Sequence, residues 1–161
     1  MTPDTELEVY IEWLMNHQTR AEKGHDIFRH NRQAIRRVAS WMRRRFGYNE
    51  NIPLYRGVSL DVESRDAVKL QGSIITYPTL SFSEDPHLAK RFARAERSNP
   101  YMIIHFPDIT EILYSYHWEP EINRLITMSR IDGAKEEEVI LENKEQEFMA
   151  EPMSKVLKYL K

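Results

Sequence analysis

The sequence predicts an α+β fold, in which helices come first and a mostly β half follows. Two observations support this prediction. Apolar residues recur at helical spacing through two segments, 5–21 and 26–46. Beyond Pro53 the apolar runs become short and rich in β-branched and aromatic residues, as is typical of strands. Because helices and strands occupy separate parts of the chain, a doubly wound sheet is not expected.

Each N-terminal helix has a repeating apolar face. The first, over residues 5–21, carries four apolar residues at helical spacing: Leu7, Tyr10, Ile11 and Leu14. Gly24 predicts its end, because glycine adopts the left-handed conformation that closes many helices. The second helix, over residues 26–46, is followed by Gly47 and by a stretch that breaks the helical pattern up to Pro53.

The β half contains several short apolar runs. Strands are predicted at residues 54–58, within 72–83, and at 101–106, 125–128, 139–141 and 147–150. Short helices are predicted at 61–70 and 85–97, the latter with Pro86 near its first turn, where a missing N–H is tolerated. Residues 154–161 are compatible with either a terminal helix or a last strand.

Composition limits the available chemistry. The chain has 161 residues, which suits one domain, and a formal net charge of -2, which gives no overall attraction to nucleic acid or membrane. It has no cysteine, which excludes disulfides, thiolate zinc sites and cysteine nucleophiles. Its six histidines lack the helical i, i+4 ligand spacing, so no metal is expected. No signal peptide or apolar run of roughly 18 residues is present, which predicts a cytoplasmic protein without membrane contact.

The charge is distributed unevenly along the chain. Seven arginines lie between Asp26 and Phe46, against Asp26 as the one acid. This basic segment, Arg29–Arg45, can be a solvated face around an apolar stripe. It can also be a docking surface for an acidic protein or an RNA-associated partner, because clustered positive charge attracts anions.

Three consecutive glutamates at 136–138 are the sharpest local feature. In an extended strand Glu136 and Glu138 would share one face, with their carboxylates roughly 6 to 7 Å apart. Two such acids can serve the cleavage of a sugar C1 bond. Considered alone, three glutamates in a row more often form a solvated turn.

Three separated segments resemble the motifs of Arg-Ser-Glu-class mono-ADP-ribosyltransferases. They are Tyr-Arg-Gly at 55–57, Ser-Phe-Ser at 81–83 and Glu-Glu-Glu at 136–138, in the family's order. The matching region runs from about Leu54 to Ala150. Phe82 stands where the family usually has threonine, and its side chain is expected to point away from those of Ser81 and Ser83.

The resemblance implies how NAD would be bound. Arg56 would pair with the diphosphate or a ribose, and Gly57 would let the backbone approach the nicotinamide amide. Ser81 would hydrogen-bond the catalytic glutamate, while Ser83 would support its strand or cap the next helix. Two further residues are candidates. Phe92 would lie near nicotinamide, or is a core side chain. Arg94 would contact the phosphates, or is a solvated cation.

The resemblance also implies the catalytic groups. Glu138, ionised, would stabilise the cation that forms as nicotinamide leaves, and Glu136 would orient or deprotonate the acceptor. A glutamate at position 136 goes with arginine acceptors in this family. The expected reaction is therefore transfer of ADP-ribose from NAD to an arginine of a target protein. Small members occur in bacteriophages, where they modify host transcription or translation machinery, and others are bacterial effectors or toxins.

The implied fold is a single domain over 1–161, with two small, roughly perpendicular antiparallel sheets. A helical lead-in would occupy 1–50, and the NAD-binding and catalytic part 51–161. Three other functions remain open. They are NAD glycohydrolysis, partner binding by a catalytically inactive domain, and nucleic-acid binding through the basic segment.

Overall fold

A computed structural model describes residues 2–59, 68–71, 77–90, 100–125, 137–144 and 146–159. Its described helices are α1 (Pro3–Thr19), α2 (Ala21–His30), α3 (Arg32–Phe46), α4 (Pro86–Ala89), α5 (Glu119–Leu125) and α6 (Met153–Tyr159). Its described strands are β1 (Leu54–Ser59), β2 (Val68–Gln71), β3 (Thr79–Ser83), β4 (Pro100–His105), β5 (Ile112–Ser115), β6 (Glu138–Glu142) and β7 (Glu147–Pro152). The predicted α+β class is confirmed.

The prediction that Gly24 ends the first helix is wrong. Helix α1 ends before Arg20, whose N–H donates to the carbonyl of Asn16, and Gly24 lies inside α2. A Cβ added at Gly24 would come within 2.7 Å of the Cα atom of His17. The glycine therefore allows the close approach of α2 to α1, rather than closing a helix.

The second predicted helix is two helices. Asn31 separates α2 from α3 with a non-helical backbone, φ -135° and ψ 30°. Its side-chain amide donates to the carbonyl of Ile27 and so competes with the main-chain hydrogen bonds of the helix. Helix α3 ends at Gly47 as predicted, with φ 83° and a hydrogen bond from the Gly47 N–H to the carbonyl of Arg43.

The described strands form one antiparallel sheet with the order β2-β7-β4-β1-β3-β6-β5. The prediction of two separate sheets is not supported, because backbone pairing continues from β1 to β3. That connection is narrow. Strand β1 pairs with β4 along its whole length, whereas its register with β3 consists of the single pair Tyr55 and Ser83.

Several element predictions in the β half need correction. Residues 68–71 form strand β2, although the sequence predicted a helix over 61–70. Leu125 ends helix α5 rather than beginning a strand, and residues 126–128 lie outside the described residues. Strand β5 was not predicted, although all four of its residues are buried. Residues 153–159 form a helix, one of the two alternatives predicted for the terminus.

The main core lies between the N-terminal helices and one face of the sheet. Its largest buried side chains include Trp13, Phe28, Phe82, Tyr101 and Trp118. Polar contacts tie the two layers together. The buried Tyr10 hydroxyl donates to the carbonyl of Leu113 at 2.6 Å, and the Trp118 indole donates to the carbonyl of Gly47 at 2.7 Å.

Within the ranges described, no helix combines the length and the apolar character needed to cross a membrane. The longest of them, α1, has acidic residues in its first turn and packs its apolar side into the core. Its amphipathic character is therefore explained by its position on the sheet.

Candidate functional site

Strand β6 begins with Glu138, whose side chain is buried. Its carboxylate accepts two described hydrogen bonds. The Ser81 hydroxyl donates to Oε2 at 2.8 Å, and the Gln18 amide donates to Oε1 at 3.1 Å. One donor comes from strand β3 and the other from helix α1, so the carboxylate lies where the helical layer meets the sheet.

The alternation of strand β3 brings Ser81 to Glu138. Ser83 is directly opposite Glu138 in the antiparallel register, and Ser81 lies two residues along on the same face. Phe82 points the other way and is fully buried, with its ring 6.0 Å from those of His105 and Phe148. The prediction that Phe82 would point away from the two serines is confirmed.

Gln18 is the residue of this site that sequence reasoning missed. It contacts Glu138 across 120 positions of the chain. It lies in the last turns of α1, on a helix where no residue resembled a family motif. The one available signal was its polar side chain beside the buried end of the α1 apolar face, and many surface glutamines share that feature.

Arg56 reaches the same region from strand β1. Its Nη1 atom donates to the backbone carbonyl of Ser81 at 2.8 Å, across the narrow connection between β1 and β3. Burial of the guanidinium lowers the pKa of Arg56 to about 10, so the side chain remains a cation at neutral pH. The site therefore contains a cation and a carboxylate that are both held by Ser81.

A group of aromatic rings lies beside Arg56. His17 contacts Trp13 and His25 edge-on, and His25 stacks on Tyr77 with a centroid distance of 4.7 Å. Burial lowers the pKa of His17 to about 3, with further lowering from His25 and Arg56. Burial also lowers the pKa of His25. Both imidazoles are consequently neutral at neutral pH and do not compete with Arg56 for an anion.

The backbone turns immediately before Glu138. Glu137 has φ 48°, in the left-handed region, and its carbonyl accepts a hydrogen bond from the Glu84 N–H at 3.3 Å. The pKa of Glu137 is raised by burial and by Asp85 and Glu84. The expectation of an extended backbone at Glu137 is therefore wrong, and the strand starts at Glu138. Strand alternation thus gives no reason to place Glu136 and Glu138 on one face.

The other predicted site residues have mixed outcomes. Gly57 is buried in β1 opposite Met102. Ser83 is buried, and its hydroxyl accepts from the Asp85 N–H at 3.0 Å. The cap of helix α4 is Asp85 itself, which accepts from the N–H of His87 at 2.8 Å. Three predicted residues lie outside the described residues: Phe92, Arg94 and Glu136.

Chemically, the described part of the site offers a buried carboxylate with fixed hydrogen-bond donors and a nearby guanidinium. Among the residues that the structure describes, no three potential metal-ligating side chains cluster. No protein-family model, curated protein or solved structure matches this chain. The arrangement of Arg56, Ser81 and Glu138 is the basis for the functional argument below.

Proposed function

We propose that this protein is an NAD-dependent mono-ADP-ribosyltransferase that modifies arginine on a target protein and releases nicotinamide. One observation carries the proposal. The resemblance assigns residues from three strands to one site, and these residues contact one another. Arg56 donates to the Ser81 carbonyl, and the Ser81 hydroxyl donates to Glu138. The hydroxyl–carboxylate bond links residues 57 positions apart, so proximity along the chain does not explain it.

In the proposed reaction the bond between ribose C1′ and the nicotinamide nitrogen breaks. The electron pair leaves with nicotinamide, which departs as a neutral base and needs no general acid. Positive charge develops on the ribose, and the ionised carboxylate of Glu138 stabilises it. The bonds from Ser81 and Gln18 fix that carboxylate before the substrate arrives, so little reorganisation is needed.

An acceptor guanidine nitrogen then forms the new bond to C1′ and loses a proton. Glu136 is proposed to take that proton, since a protonated guanidinium is a poor nucleophile. Arg56 would bind the NAD diphosphate, because its planar donors suit an anion and it is a cation at neutral pH. Gly57 and Ser83 belong to the strands that would flank the substrate, and Phe92 and Arg94 remain proposed contacts.

The finer fold proposal is the ADP-ribosyltransferase fold. Supporting it is the narrow connection between β1 and β3, which divides the sheet order into β2-β7-β4-β1 on one side and β3-β6-β5 on the other. A substrate would lie at this division, where Arg56 meets Ser81. Target proteins from transcription or translation machinery, reached through the basic segment Arg29–Arg45, remain part of the proposal.

The test is incubation of the pure protein with NAD labelled in the adenylate part, together with a bacterial lysate. Wild type should label a discrete protein band, and Glu138→Gln should not. Glu136→Gln should still release nicotinamide but lose the labelling. Glu137→Gln is the matched control, since it removes a neighbouring carboxylate from the turn.

Three results would count against the proposal. Nicotinamide release without labelling, in lysates from several sources, would favour the glycohydrolase. Equal activity of wild type and Glu138→Gln, or no consumption of NAD by wild type, would exclude the proposed catalytic role of Glu138.

A further inference from the structure

A cavity lined largely by charged side chains lies at the far end of strand β6. It has a volume of about 280 Å³, near the lower end of the range for small-molecule sites. Its lining comes from helix α3, from the segment around β5 and from the residues that follow β6. The lining residue Glu142 is four positions after Glu138, which corresponds to roughly 13 Å along a strand. The cavity is therefore separate from the site built around Glu138.

Cations dominate the lining of this cavity. Arg36, Arg37, Arg43 and Lys144 all line it, with Glu142 as the one acidic side chain among its lining residues. Glu142 is buried and binds Arg36 at both oxygens, at 2.8 Å and 2.5 Å. This bidentate pair neutralises one of the four cations. Arg37 pairs in turn with Glu6, which does not line the cavity, so cations outnumber acids among the lining residues.

Two of those cations have weak or neutral partners. Arg37 pairs with Glu6 at 3.0 Å, but 59% of its side chain is exposed, so the pair contributes little stability. Lys144 donates to the hydroxyl of Thr110 at 3.0 Å and to the same residue's carbonyl.

Arg43 provides the strongest argument for a ligand. It is half-buried, and its Nη1 atom donates to the carbonyl of Ile112 at 2.5 Å. Burial and the neighbouring Arg44 lower the pKa of Arg43, whereas Tyr10 and the Asp108 carboxyl raise it. A guanidinium has five N–H donors, more than the carbonyl of Ile112 can accept. A partly desolvated cation of this kind is stabilised by an anion that enters the cavity.

The geometry favours phosphate over carboxylate. In this cavity the guanidinium of Arg36 alone binds both oxygens of a carboxylate, that of Glu142. The remaining donors approach from α3 and from the segment after β6, and so from more than one direction. A terminal phosphoryl group has three strong acceptor oxygens and can bind donors from several directions.

We propose that this cavity binds a small phosphate compound through a terminal phosphoryl group, using Arg37, Arg43 and Lys144. Arg36 is held in place by Glu142 and forms the wall of the site. This proposal does not depend on the transferase activity, because it uses no residue of the Glu138 site.

The test is calorimetric titration of the full chain with inorganic pyrophosphate and, separately, with ADP, at low ionic strength. The variant Arg37→Gln/Lys144→Gln removes two exposed cations of the cavity. The variant Arg44→Gln/Arg45→Gln is the matched control, because it removes two exposed cations from the same segment of the surface outside the cavity.

Wild type should bind both probes saturably. The cavity variant should bind at least about tenfold more weakly, since each lost charge-assisted bond corresponds to about that factor or more. The control should change affinity by less than about threefold. Equal affinities for the two probes would identify the phosphates alone as the ligand, and tighter binding of ADP would identify a nucleotide.

The proposal is overturned if the two double variants weaken binding equally, because the effect would then be general electrostatic attraction. It is also overturned if wild type shows no saturable binding below about 1 mM. Thermal melting of both variants verifies that each remains folded.

Discussion

The two ends of strand β6 carry buried glutamates with different kinds of partner. Glu142 binds the guanidinium of Arg36 through both oxygens, whereas the donors described for Glu138 include a neutral amide and a neutral hydroxyl. A bidentate ion pair neutralises a carboxylate and ties two elements together. The two described donors of Glu138 position its carboxylate. We therefore expect the Glu142 end to contribute mainly stability, and we propose charge stabilisation as the role of the Glu138 end.

The largest expected effect is the loss of activity in Glu138→Gln. This change keeps the shape of the side chain and removes the charge that would stabilise the ribose cation. The rate of nicotinamide release should fall by about a hundredfold or more, in line with the loss of an electrostatic group aimed at a transition state. Thermal melting should change little, because the new amide can keep both contacts: its oxygen accepts from Gln18, and its NH2 donates to the Ser81 hydroxyl oxygen.

The opposite pattern is expected for Glu142→Gln. The amide cannot balance the charge of Arg36, which is partly buried. Because 38% of the Arg36 side chain is exposed, water compensates in part, and the free energy of unfolding should fall by about 1 to 3 kcal/mol. Denaturant unfolding measures this loss. Specific activity of the folded fraction should stay within about threefold of wild type.

Part of this comparison was predictable from sequence. The helical spacing of apolar residues predicted helices in the N-terminal part, and the resemblance predicted the contact between Ser81 and Glu138. The pairing of Glu142 with Arg36 was not predictable, because it depends on how α3 crosses the sheet, 106 positions away in the chain. The left-handed turn at Glu137 was not predictable either, since three glutamates in a row occur in turns as well as in strands.

Local side-chain chemistry explains the errors in the helical part. Asn31 interrupts a pattern whose apolar spacing continues through it, because its side chain binds the Ile27 carbonyl. Gly24 carries the usual signal of a helix end, yet its lack of a side chain serves a helix contact with His17. The first outcome depends on a local side-chain bond and the second on the packing of two helices, and the apolar spacing of the sequence shows neither.

An intermediate effect on activity is expected for Gln18→Ala, which tests the site residue that the sequence did not predict. Loss of one bond to an ionised carboxylate should lower kcat by about tenfold and leave KM nearly unchanged. Gln18→Glu should be at least as harmful, because two carboxylates would then face each other. The control is Asn16→Ala on the same helix, since the Asn16 amide donates to the backbone carbonyl of Glu12 within that helix. A kcat equal to that of wild type would remove Gln18 from the site.

The last effect appears only below neutral pH and concerns the neutral histidines near Arg56. The pKa of His17 is about 3 when folded, against a usual value of 6.5. Between these values the unfolded chain binds one more proton, so stability is present above the unfolded pKa and is lost as pH falls through this window. The contribution is about 1.4 kcal/mol per pH unit.

The variant His17→Asn should therefore show a shallower decline of unfolding free energy between about pH 6 and pH 4 than wild type does. The exposed His30, replaced by asparagine, provides the matched control. Identical slopes in wild type and His17→Asn would show that His17 does not carry this dependence.

Nicotinamide release from NAD by three matched proteins tests the central claim most directly: wild type, Glu138→Gln and Glu142→Gln. Each measurement is normalised to the folded fraction. The account predicts release by wild type and Glu142→Gln, and a loss of about a hundredfold or more in Glu138→Gln. Equal release by all three proteins, or a loss confined to Glu142→Gln, would contradict the assignment of chemistry to the Glu138 end of strand β6.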